Sequence, residues 1–183
     1  EHFAIDGCKI ACDASRQWSG KHHELEKKSD KLKKAANRII ERHKDSDSDK
    51  NDDSGHKKEE KKTIETLLKN AKKIDDFLST NEKRIGMGKS KQEVCSNITD
   101  NESAKMKTNK GMIQGYVCVT TADDKHQIIV DAQSYGMGTE HSTLIPSIEG
   151  IKKQLGEDVL DSAVLTADTG FSNEFNMKYI YKN

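Results

Sequence analysis

GYVCVTTADDKHQIIVDAQ, residues 115–133, decides the fold class of this chain. Two β-rich runs, GYVCVTTA and HQIIVDAQ, flank Asp123-Asp124-Lys125, and that spacing predicts an antiparallel hairpin with a short turn. Upstream, Phe3-Ala4-Ile5 and the stretch from Cys8 to Cys12 surround Asp6-Gly7, which reads as one strand or two short ones with an acidic residue near the middle. Downstream, Leu144, Ile145, Ile148, Ile151 and Leu155 fall at helical spacing. Ser142 or Thr143 is placed to cap that helix, and Pro146 is early enough for its first turn. Residues 163–167 (AVLTA), bounded by Asp168-Thr169-Gly170, predict a buried parallel strand ending in a turn, with Ser172 opening a last helix.

Between the first strand and the hairpin the period changes. Leu25, Leu32 and Ile39 recur every seven residues with Ala36 between, and Ile64, Ala71 and Leu78 do the same, joined by Leu67, Leu68 and Ile74. Two helices with so narrow an apolar stripe predict an antiparallel hairpin of coiled-coil type, each helix burying its stripe only against the other. The acidic, Ser-rich loop 45–56 between them is expected to be mobile. The division is therefore 1–20 as the first strand, 21–90 as the helical insertion and 91–183 as the remainder of the core, with 91–110 read as a loop.

Composition narrows the function. Charged residues make up 34% and hydrophobic ones 32% of 183 residues, too few apolar side chains for a single uniform core. No run approaches the ~18–20 apolar residues of a membrane-spanning helix. The opening EHFAIDGCKIAC has neither the basic start nor the apolar run of a signal peptide. Four scattered cysteines without a C-x-x-C pair indicate neither a disulfide framework nor a structural zinc site, and fit reduced thiols in the cytoplasm. Net charge is zero, yet residues 21–44 hold nine basic side chains against four acidic ones, 45–53 hold five acids and one Lys, and 111–183 hold ten acids and five bases. Basic segments beside concentrated carboxylates fit a protein that grips a polyanion, although Lys-rich helices are also ordinary solvated faces.

The element order is strand, helical insertion, strand, strand, helix, strand, helix. With the insertion removed, it is the opening of a ribonuclease H-like mixed sheet, an α/β fold whose first and fourth strands are parallel neighbours. Asp6 and Asp168 then approach each other, and two carboxylates brought close repel unless a cation lies between them. Magnesium takes hard oxygen ligands and leaves room for phosphate oxygens, and a pair of such ions serves phosphodiester cleavage and transfer. Taken singly, each is more often a turn residue than a ligand, Asp6-Gly7 as an ordinary turn and Asp168 as the cap of a strand-to-helix turn; it is their joint placement on the first and fourth strands that favours the metal reading.

These residues also carry a resemblance. IDGCKI (5–10) with SRQWSGKHHELEKK (15–28) resembles the first-aspartate region of DDE-type transposases from bacterial insertion sequences. SNITDNESAKMKTNKGMIQGYVCVTTADDKHQIIVDAQ (96–133), GTEHSTLIPSIEGIKKQLG (138–156) and LTADTGFSNEFNMKYI (165–180) are similar to the later blocks of that catalytic domain, including its A-D-x-G-Y-x-S-E-x-N signature. The Lys/Glu-rich helical pair matches as well. The resemblance implies metal-dependent DNA cleavage and strand transfer, with Asp6 and Asp168 as first and second catalytic carboxylates. It further implies a two-metal Mg2+ (or Mn2+) site, double-stranded DNA as partner, a homo-oligomer when active and a nucleoid-associated cytoplasmic location. Phe171 stands where the family has Tyr, and Val117 to Thr121 replace the common N-V-Q-A-A. The family's third carboxylate, a Glu on a later helix, is expected beyond Asn183, so the chain is read as a fragment inactive alone.

Other residues are weaker candidates. Glu149 lies on the helix where ribonuclease H enzymes place a ligand, and is either a substitute third carboxylate or a solvated side chain. Lys105, Lys107 and Lys110, with Trp18, are candidates for contact with the DNA backbone. A metal-dependent nuclease without strand transfer and a non-catalytic nucleic-acid-binding remnant are the alternative readings.

Overall fold

The computed structural model describes residues 1–46, 54–86 and 91–182. It is a mixed α/β structure that divides into two compact units, Glu1–Arg16 with Glu102–Asn183, and Gln17–Asn101.

The first unit is built on a five-stranded mixed sheet. Strand β1 (His2–Ala11) runs unbroken through Asp6-Gly7, so that dipeptide is strand and not turn. In the second unit, β2 (Ser19–Gly20), helices α1 (His22–Ser46) and α2 (Ser54–Thr80), and β3 (Ser96–Asn97) follow in order. The chain then returns to the first unit with β4 (Ala104–Thr108), β5 (Gly111–Asp123), β6 (Ile129–Tyr135), α3 (Leu144–Leu155), β7 (Val164–Ala167) and α4 (Glu174–Ile180). Strand β5 organises the sheet: its start pairs with β4, its remainder pairs with β1 on one edge and β6 on the other, all antiparallel. Helix α3 then carries the chain over to β7, which lies parallel to β1 in the register His2↔Val164 to Ile5↔Ala167.

Alternation sorts the side chains. Ile5, Val117 and Val119 point into a core closed by Leu144 and Ile148 of α3, Met106 of β4 and Phe171. The intervening residues Ala4, Asp6, Cys8 and Ile10 are exposed on the opposite face, Ile10 to 50%. Pro146 falls in the first turn of α3, where its missing N–H costs no intrahelical bond.

Several expectations are corrected. Strand β7 is parallel as read, but it is an edge strand and not buried: β1 flanks one side, and Val164 is 62% exposed. Residues 91–110 contain β3 and β4 where a loop was expected, because Lys-Met-Lys alternation hides a strand with one buried residue, Met106. Thr143 occupies the cap position of α3 without a side-chain cap bond; its hydroxyl donates to the Glu140 carbonyl at 2.8 Å. The last helix starts at Glu174, capped by Asn173, whose side chain accepts from Asn176 N–H.

In the second unit α1 and α2 pair antiparallel, as the contacts Ser29 to Asp75 near one end and His43 to Glu60 near the other require. The seam runs through Leu25, Ser29, Leu32 and Ala36 on α1 and Ala71, Ile74 and Phe77 on α2, while Leu68 is 42% exposed. The stripe is not buried by the two helices alone, because Ile98 and the half-buried Trp18 close its end. Residues 47–53, most of the expected mobile loop, lie outside the described residues. No helix among the described residues is long and apolar enough to cross a membrane.

Candidate functional site

The parallel ladder between β1 and β7 ends at Ile5↔Ala167, and an aspartate follows on each side, Asp6 within β1 and Asp168 just past the end of β7. Asp6 and Asp168 are thus brought side by side from opposite ends of the sequence. Asp6 Oδ1 accepts from the Gly7 N–H at 2.7 Å. Asp168 caps a short 3-10 turn, its Oδ1 accepting from Thr169 N at 2.5 Å and Thr169 Oγ1 at 3.1 Å. One carboxylate oxygen of each is held by its own backbone, and Oδ2 has no partner among the described residues. Both side chains are exposed.

An acidic side chain that sequence reasoning did not single out, Glu140, packs on the core face of the sheet, opposite the face that carries Asp6. A Cβ added to Gly7 would lie 2.7 Å from Glu140 Cδ, and one at Gly170 would lie 3.6 Å from Glu140 Oε2. The Glu140 carboxylate therefore occupies space left open by Gly7 and reaches toward the turn that follows Asp168. Its backbone is pinned: Thr143 N donates to the Glu140 carbonyl at 3.0 Å. The neighbouring residue is tied too, with His141 Nδ1 2.7 Å from the Gly170 carbonyl and its own carbonyl accepting from Asn173 and Asn176 side chains. The only local signal was an acidic residue just before α3, indistinguishable in sequence from a loop acid.

Glu149, the expected alternative, is committed elsewhere: it accepts a hydrogen bond from Tyr179 Oη, joining α3 to α4, and lies 3.9 Å from Lys152 Nζ. That bond, with burial and the nearby Glu149 charge, pushes the Tyr179 phenol up to about 12. Lys105 and Lys107 are exposed on β4, and Lys110 is exposed in the β4–β5 turn, where Gly111 adopts φ +117°. Lys9 Nζ donates to the Lys107 carbonyl and Arg16 to the Met112 carbonyl, adding two cations to this hairpin that its sequence did not single out. Trp18 belongs to the other unit, where Lys28 Nζ lies 4.3 Å from the centre of its ring.

Among the described residues, no group of three or more His, Cys, Asp and Glu side chains converges to hold a metal ion. Magnesium does not require such a cage: it is commonly held by one or two carboxylates together with waters and substrate phosphates. Two hard oxygen donors, one in β1 and one at the end of β7, each with an Oδ2 unpaired among the described residues, fit that open donor set. Beside Asp168 an apolar cleft of ≈ 560 Å³ is lined by Leu144, Ile148, Leu165, Phe171 and Met177. Comparison of the chain with protein families, with curated proteins and with solved structures finds no match.

Proposed function

We propose that the first unit is part of a divalent-metal-dependent catalytic core, ribonuclease H-like in fold, that acts on DNA phosphodiester bonds in the manner of a DDE transposase. The observation that carries this reading is the parallel register that sets Asp6 beside Asp168. When bound, Mg2+ or Mn2+ would supply Lewis-acid polarisation and neutralise charge developing on the phosphoryl oxygens. Asp6 and Asp168 would hold it through Oδ2, while their Oδ1 bonds to Gly7 and Thr169 fix the carboxylate planes. Glu140, seated over Gly7, lies on the other face of the sheet from Asp6 and is not part of this pair, and Glu149 is engaged by Tyr179. Lys105, Lys107 and Lys110, with Lys9 beside them, neutralise backbone phosphates and position the duplex without reading sequence.

A second reading, nucleic-acid binding without cleavage, is favoured by the cations that gather at the β4–β5 hairpin, Lys9, Lys105, Lys107 and Lys110. A plasmid-nicking assay with Mg2+ or Mn2+ separates the two. Under the catalytic reading the chain nicks DNA, and Asp6→Asn or Asp168→Asn lowers the rate by more than the ~10–100-fold typical of losing an outer hydrogen-bond partner. Glu149→Gln leaves the rate within about twofold on the same scale. DNA binding that falls steeply with salt, with no metal-dependent cut in any variant, supports the second reading and defeats the first.

A further inference from the structure

Cys8 of β1 and Cys118 of β5 are direct cross-strand partners in the antiparallel ladder. The hydrogen bonds Cys12 N to Gln114 O and Asp124 N to His2 O follow the same register two-residue step by two-residue step. They place Cys8 and Cys118 at a hydrogen-bonded position, where opposed Cα atoms stand about 5.5 Å apart. A disulfide spans Cα separations of about 4.4–6.8 Å, so this spacing admits a bridge, reached when the Cβ atoms of the pair close from the roughly 4.5–5.5 Å of a cross-strand pair to about 3.5–4.5 Å. Both side chains lie on the face of the sheet opposite the core, since Ile5, Val117 and Val119 alternate with them into the interior. Cys8 is exposed and Cys118 half-buried, and both are free thiols. Cys12 is no competitor: four residues further along an extended chain it lies about 13 Å from Cys8, beyond reach of a bridge.

We propose that Cys8 and Cys118 are a redox-active pair that closes a reversible intrachain disulfide across β1 and β5. The oxidant is a low-molecular-weight disulfide such as glutathione disulfide. Exposed Cys8, as thiolate, attacks it, forming a mixed disulfide and releasing one glutathione thiolate. Cys118 then gives its proton to solvent and attacks Cys8 Sγ, releasing the second glutathione. The protein pair loses two electrons and two protons, and the oxidant becomes two thiols. Burial, and then the neighbouring Cys8, push the Cys118 thiol up, which makes it the slower, resolving partner. Closure staples the two central strands two residues beyond Asp6, on the face that Asp6 occupies. This thiol chemistry is independent of the proposed DNA chemistry.

The test oxidises the whole chain, fully reduced beforehand, with glutathione disulfide under native conditions. Titratable thiols are expected to fall from four to two per chain, with no glutathione retained and one dominant cross-linked peptide pair joining Cys8 to Cys118. Dithiothreitol restores four. Cys118→Ser should trap glutathione on Cys8, whereas a chain with Cys12→Ser and Cys95→Ser closes as the parent does. In denaturant the preference is expected to shift to the short Cys8–Cys12 loop. Four thiols still titrating after native oxidation, a stable glutathione adduct on Cys8 of the parent chain, or a dominant linkage to Cys12, to Cys95 or between chains would each overturn the proposal.

Discussion

A Cβ added at Gly115 would stand 1.9 Å from the Ile10 carbonyl oxygen and 2.9 Å from Ala11 Cα. Both obstacles are backbone of the neighbouring strand, so neither moves without breaking the β1–β5 ladder. Gly115→Ala should cost about 3 kcal/mol, the upper end of the usual range for point substitutions, read as a lowered midpoint in urea unfolding. Gly7 poses a different constraint, because the obstacle there is the far end of the Glu140 side chain. Gly7→Ala should cost less than about 1 kcal/mol, since that carboxylate swings aside. Tyr179 adds a pH effect. Its phenol is raised to about 12 in the folded chain, so the folded state holds the proton more tightly than the unfolded one. That contribution is complete below the ordinary tyrosine value near ~10 and is lost as pH rises toward 12. Tyr179→Phe should flatten this part of the stability–pH curve, as followed by circular dichroism.

The helical pair shows how an element can be legible in period and still incomplete. Seven-residue spacing identifies both helices because Leu25, Leu32, Ala71 and Leu78 are neighbours on their own helix surfaces, a purely local property. Period alone does not reveal that Trp18 and Ile98, from segments outside both helices, finish the cluster around Leu25, Ile74 and Phe77. Ile74→Ala should therefore cost about 2–5 kcal/mol, measured as loss of helical signal at lower urea. The seam also holds a polar contact: Lys33 Nζ lies 2.7 Å from Asp75, and Ser29 Oγ donates to the same carboxylate at 2.6 Å. These partners hold the Asp75 carboxyl below the usual carboxylate range, with Lys33 the larger cause. Its contribution is present above the unfolded value near ~3.9 and fades as pH falls through the lower folded value. Acid should loosen the pair less in Asp75→Asn than in the parent chain.

For the whole molecule, zero net charge and a pI near 7.3 conceal a segregated surface. Lys9, Lys105, Lys107 and Lys110 gather at one hairpin of the first unit, while acids dominate residues 111–183. Under the proposed function the chain binds duplex DNA despite its neutrality. Replacing Lys105, Lys107 and Lys110 with Ala should lower the slope of log K against log salt by about 0.9 for each phosphate that is no longer neutralised. An unchanged slope in a salt-titrated binding assay would remove these residues from the interface.

Local pattern alone determined much of this protein. Two β-rich runs around a turn located the central hairpin, seven-residue recurrence the helical pair, helical spacing α3 and a bounded apolar run the parallel strand, because backbone conformation and amphipathic facing are set by residues a few positions apart. Only the tertiary structure decided that β7 lies at an edge, that Glu140 sits over Gly7 while Glu149 is bound to Tyr179, and that Cys8 faces Cys118. Each of these facts depends on which distant segments share a strand edge or a sheet face. No window of neighbouring side chains encodes that choice, which is made when the core closes and every buried backbone group must find a partner.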